Sequence, residues 1–201
     1  MSAAAGVGKR ERTKAANREA ILVAARRVFS DIGYGAASVR DVVRETDLAT
    51  GTFYNYFPDK ESVLRALVDE MAREARTRVH DARMAAAGSV EGFVSAGFRA
   101  YFEFLSEDPQ RFALIRRNEG TLRTMFDEPA IGAGADELQA DLEAAVAAGA
   151  LPPHDAELMA AAMVGAGLEI GMRLVERDPP DVEAAVAFVT GVFLGAFDRL
   201  R

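Results

Sequence analysis

Apolar residues recur every three or four positions along almost the whole chain, and nowhere do they alternate over a strand-length run. Ile21, Leu22, Ala25, Val28, Phe29 and Ile32 form one stripe of an amphipathic helix beginning near residue 13. Gly33 and Gly35 stand where glycines end helices. In "ASVRDVVRET", Ser38 and Asp41 have the spacing of a capping box, and Val39, Val42 and Val43 give a short helix its apolar face. Thr46, Asp47 and Leu48 interrupt it, and a second short helix fits 49–56 before Pro58 stops it. Asp59 then caps a longer helix, to about residue 87, with Val63, Leu64, Leu67, Val68 and Met71 on its apolar side.

Helix periodicity continues to the end of the chain. One helix carries Phe93, Phe98, Tyr101, Phe102 and Leu105, and a short one starts at Pro109, where a missing N–H is harmless. Another is expected over 121–131, a break at Gly132-Ala133-Gly134, and a further helix over 135–148. After the loop "LPPHD" come two long helices, 155–177 and 181–200, rich in Ala and Gly. The fold class is all-α, with eight to ten helices.

Charge changes this picture in one respect. The chain carries net charge −7, yet residues 1–60 hold ten Lys or Arg against seven Asp or Glu, net +3, and the first thirty residues are at +5. A basic head on an acidic body suits a head that meets a polyanion, although a solvated tail has the same composition. Residues 1–12, small then basic, read as a disordered tail. Without cysteine there are no disulfides and no thiolate metal sites, which fits a cytoplasmic protein. No signal peptide or membrane span is expected. His80 and His154, the two histidines, have no Asp, Glu or Cys at ligand or triad spacing, so no catalytic residue, metal or cofactor is expected.

The aromatic residues are unevenly spread. Phe53, Tyr54, Tyr56 and Phe57 are four of sixteen, crowded into five positions. Three helices in sixty residues, the second and third short and joined by a tight turn, make a helix-turn-helix, whose last helix enters the major groove. Phe53 and Phe57, four apart, face inward with Val43 and Leu48. Tyr54, Thr50, Thr52 and Asn55 are left facing outward, where hydroxyls and amides meet phosphates and base edges. Gly51 removes a side chain at the closest approach to the duplex.

With Ser38, Gly51-Thr52-Phe53-Tyr54, Tyr56-Phe57 and Lys60, the stretch "SVRDVVRETDLATGTFYNYFPDKESVLRAL" resembles the DNA-binding region of TetR-type transcriptional regulators. The resemblance covers about residues 17–65. Asp47 replaces the family's turn glycine and Ala49 its serine cap; Asp tolerates left-handed backbone angles and can keep the turn. The resemblance implies an N-terminal DNA-binding domain, residues 13–58, and a C-terminal helical ligand-binding and dimerisation domain, residues 59–201. It implies that Ser38, Arg40, Tyr54 and Lys60 hold phosphates of double-stranded DNA while Thr50, Thr52, Asn55 and Tyr56 lie in or beside the groove of a palindromic operator. It further implies a homodimer that represses transcription until a small-molecule effector releases it. A helical small-molecule carrier or interaction protein without sequence-specific DNA binding is the alternative.

In the body, Ala161, Gly165 and Leu168, with Gly191, Val192 and Gly195, let helices approach closely. They either close the monomer's own core or pair two subunits, and the resemblance favours the second. Phe98, Tyr101, Phe102, Phe112, Met125, Phe126 and Met163 suit an apolar cavity or an ordinary core. Arg116, Asn118 and Glu169 are the polar residues among them, with Arg173 one turn beyond as the natural partner for Glu169.

Overall fold

The computed structural model describes residues 3–126 and 129–200, and among these ten helices and no strand occur. The helices are α1 (Ala3–Asp31), α2 (Val39–Arg44), α3 (Thr50–Tyr54), α4 (Lys60–Ala85), α5 (Val90–Ser106), α6 (Pro109–Arg117), α7 (Glu119–Arg123), α8 (Pro129–Ala147), α9 (Ala156–Val175) and α10 (Val182–Arg199). The expected tail is thus helical from Ala3, since Ala, Lys, Arg and Glu propagate α1 backward at little cost; residues 1–2 lie outside the description. The break expected at Gly132–Gly134 is also absent. α8 runs through both glycines, whose cost of about 1 kcal/mol each is offset by burial of Leu138 and Leu142 on the same helix.

Local chemistry sets the termini. Gly33 ends α1 at φ +83°, where an L side chain would be strained. Ile32, expected in the buried stripe, lies beyond that end and is 48% exposed. Ser38 and Asp41 form the capping box of α2, and Asp59 caps α4 by accepting from Ser62 N at 2.7 Å. Ser89, Asp108, Asp155 and Asp181 cap α5, α6, α9 and α10 through side-chain oxygens.

The head is α1–α3 packed on the start of α4, around Ile21, Leu22, Phe29, Val42, Phe53 and Leu64. The body packs α5 between α4 and α10, with α8 and α9 alongside. Its close approaches need glycine: a Cβ on Gly171 would stand 2.6 Å from Leu105 Cδ1. The two parts share a broad contact of α1 with α6. Ser30 Oγ donates to Gln110 O at 3.1 Å across it. By length and hydropathy (1.6) α9 alone among the described helices could cross a membrane, yet one side of it is buried against its neighbours.

Candidate nucleic-acid interface and effector cavity

The helix-turn-helix is built from short-range bonds. Thr46 Oγ1 donates to Val43 O at 2.9 Å and accepts from Leu48 N at 3.2 Å, closing the turn between α2 and α3. Among the described residues only Gly33 and Gly149 have positive φ, so Asp47 makes the turn without the left-handed angle expected of it. Ala49 occupies the N-cap of α3 and supplies no side-chain bond. Phe53 and Phe57 are buried, as their spacing requires. Around them Thr50, Gly51, Tyr54 and Asn55 are exposed, Thr52 half-buried, and Arg40 exposed on α2. Among the described residues Arg40 and the Tyr54 hydroxyl have no partner; the Tyr54 ring is held edge-on by Phe53 at 5.4 Å.

Three residues expected at the DNA also have partners within the protein. Both donors of Ser38 go to Asp41 Oδ2, the backbone N at 2.9 Å and Oγ at 2.6 Å. Tyr56 is half-buried and its hydroxyl accepts from Asn17 Nδ2 at 3.2 Å. Lys60 Nζ donates to Tyr34 O at 2.8 Å and Ala37 O at 2.9 Å, and lies 4.4 Å from the Tyr34 ring centroid. A lysine satisfying two loop carbonyls in this way holds the α1–α2 connection. Its identity suggested a phosphate contact; the approach of α4 to that loop gives two of its three N–H donors carbonyl partners.

The body holds a partly open cavity of about 210 Å³ between α4, α5, α8 and α9. Phe98, Tyr101, Phe126 and Met163 line it as expected. Phe102 and Met125 are core residues outside its wall, and Phe112 is half-buried away from it. Arg116 is exposed and pairs with Asp178 at 3.9 Å. Glu169 lies outside the cavity too, bonded to Arg123 and, at 3.0 Å, to Arg173; these cations hold its carboxyl below the usual range. Leu168, assigned above to the subunit interface, is half-buried and lines the cavity, whereas Gly165, about 60° round α9, is exposed. Burial raises the Tyr101 hydroxyl pKa, keeping it a neutral donor or acceptor in the wall.

Two polar residues of the body matter more than their sequence context suggests. Asn118, 4% exposed, accepts from Tyr34 N at 2.5 Å and donates to Phe29 O at 3.0 Å and Leu114 O at 2.7 Å. It ties the end of α6 to the head. Arg83, also 4% exposed, lines the cavity with its stem over Gly97, where a Cβ would lie 3.0 Å from Cγ. Sequence reasoning missed Arg83. The signal was its register: Val68, Ala72, Ala75, Val79 and Arg83 follow one another at three or four residues down the cavity face of α4.

The opposite side of α9 and α10 is open. Leu158, Phe188 and Val192 are 67, 63 and 51% exposed. Ala161, Gly165, Gly191 and Gly195 are exposed beside them, and a Cβ at any of the three glycines would meet nothing within 4 Å.

Comparison with known proteins agrees with this geometry. Residues 21–67, from the buried stripe of α1 into α4, match the sequence model of bacterial regulatory proteins of the tetR family. The head of this chain is similar to the DNA-binding region of the TetR family. Over 131 residues, 65% of this chain and 63% of the relative, it is 29% identical to the HTH-type transcriptional repressor Rv1474c of Mycobacterium tuberculosis. The match thus spans under two thirds of that repressor's length. A TetR-family regulator from Pectobacterium atrosepticum has the same fold, with TM-score 0.73 and 23% identity over 92% of this chain and 93% of that one. So does FadR from Bacillus subtilis, solved with stearoyl-CoA, with TM-score 0.71 and 22% identity over 87% and 96%.

Proposed function

We propose that this protein is a homodimeric transcriptional repressor that binds a palindromic operator and is released by a small apolar effector. The observation that carries this reading is the outer face of the helix-turn-helix. Thr50, Gly51, Tyr54 and Asn55 stand exposed on a helix held from within by Phe53 and Phe57, in a head matching the family's DNA-binding region. Arg40 on α2, and Arg10 and Lys14 on the exposed start of α1, supply positive charge for phosphates.

The open side of α9 and α10 supports the dimer. Large exposed apolar residues among small ones form a surface on which the same two helices of a second copy pack closely. Two recognition helices then reach half-sites one helical turn, about 34 Å, apart. The cavity supports the effector. Ile115 lines it and Asn118, one turn further along α6, bonds the α1–α2 region of the head. Filling the cavity shifts α6, and the shift reaches the head through those bonds; the effector acts by its different affinity for the two head spacings.

The test is binding of the purified protein to DNA upstream of its own gene and to scrambled DNA, over a salt series. Specific binding that weakens with salt and with Tyr54→Phe or Arg40→Ala supports the reading. Equal weak binding to both DNAs, followed by failure to select any fragment from the whole genome, overturns it and leaves a carrier without operator. Sedimentation of Phe188→Arg tests the dimer: a monomeric variant is expected.

A further inference from the structure

We propose that the cavity takes a carboxylate on an apolar chain of medium length, with its head on the guanidinium of Arg83. The inference rests on the effector reading of the cavity given above. Its wall is almost wholly aliphatic and aromatic, and Arg83 and Arg76 are the charged residues in it. Arg76 is already neutralised by Glu137 at 3.2 Å. Arg83 has only a loose ion pair: its nearest carboxylate oxygen, Asp141 Oδ2, stands 4.0 Å from Nη1, beyond hydrogen-bond range. Among the described residues its guanidinium donates no hydrogen bond at all, and Nε is enclosed without a partner. Asp141 Oδ2 is also enclosed and unbonded.

An arginine has five N–H donors, stays protonated when buried, and is destabilised when those donors are enclosed without hydrogen-bond partners. The Phe93 ring, 5.5 Å from its Cζ, relieves some of that loss and leaves the donors unused. The fork of a guanidinium matches two carboxylate oxygens at once, which an alcohol or ester cannot equal. The chain attached to that carboxylate must be apolar, because Phe93, Phe98 and Met163 leave it nothing to bond. At about 30 Å³ for each heavy atom, the volume of about 210 Å³ holds about seven, the number of chain carbons that follow the carboxylate of an eight-carbon acid seated on the Arg83 guanidinium. An eight-carbon acid is therefore the natural probe. Glycine at 97 is part of the device, since any side chain there would push the Arg83 stem out of its course across α5.

Calorimetric titration of the DNA-free protein with octanoate, methyl octanoate, octanol and octanoyl-CoA tests the proposal. Octanoate is expected to bind at least tenfold more tightly than the other three, and Arg83→Met to abolish that preference. Asp141→Asn, which removes the competing carboxylate, is expected to tighten octanoate severalfold; a purely structural ion pair predicts no such gain. Equal binding of acid, ester and alcohol, tighter binding of octanoyl-CoA, or no binding of octanoate overturns the proposal. The wild-type series decides the matter even if Arg83→Met fails to fold. Because no DNA is present, failure here leaves operator binding untouched, and failure of operator binding leaves this titration valid.

Discussion

Asn118→Ala removes one acceptor and two donors from a site only 4% exposed. The amide N–H of Tyr34, which Asn118 Oδ1 accepts at 2.5 Å, is left without that partner, at a cost of about 1–3 kcal/mol. Phe29 O loses the bond at 3.0 Å, whereas Leu114 O keeps one from the backbone N–H of residue 118 itself at 3.2 Å. With the small void left behind, the total is about 2–4 kcal/mol. Asn118→Asp makes a sharper case. Its carboxyl can still accept from Tyr34 N, but it sets a second oxygen against the carbonyls now 3.0 and 2.7 Å from Nδ2. The acid is therefore favoured in its protonated form, its folded pKa stands above the unfolded one, and stability falls as pH rises. Urea unfolding of both variants at pH 5 and pH 8 measures this. An Asn118→Ala loss under about 0.5 kcal/mol, the range of an inert surface change, with no pH dependence in Asn118→Asp, would refute the bond network.

Three further outcomes are expected. Lys60→Met should lower the urea midpoint by freeing the carbonyls of Tyr34 and Ala37, yet leave the salt dependence of DNA binding unchanged; a phosphate-bound lysine would instead reduce the slope by about one. Ala49→Ser places a capping hydroxyl at φ −73°, ψ 150° and should stabilise the protein by about 1 kcal/mol, read from the same midpoint. Bonds from Ser38 and Ser62 hold the carboxyls of Asp41 and Asp59 below their ordinary values, so their contribution is full above about pH 4 and is lost as pH falls through the folded values. A double Asp41→Asn, Asp59→Asn variant should therefore lose stability less steeply between pH 4 and pH 2 in thermal melts.

Much of the head was legible in the residue order because it rests on interactions within a few positions. The Ser38–Asp41 box, the Asp59 cap and the inward turn of Phe53 and Phe57 each depend on a spacing of three or four. The exposure of Tyr54 then follows from the burial of Phe53 beside it. In the body, periodicity showed which positions were apolar but not which faces would meet. Leu168 went to the cavity and Gly165 to the open surface, although they are three residues apart on one helix. Phe102 and Phe98 went to core and cavity for the same reason. Lys60 and Asn118 carry no local sign of their roles, since their partners lie 23 to 26 and 84 to 89 residues away. Arg83 is the extreme case. On α4 it is one charge in a charged helix, and burial between α5 and α8 makes it a cation without hydrogen-bond partners in the wall of an apolar cavity. Local order in this chain is written in short-range hydrogen bonds and helical period. The partners of its polar groups were decided by which helices packed together, because a side chain's solvation depends on neighbours distant in sequence.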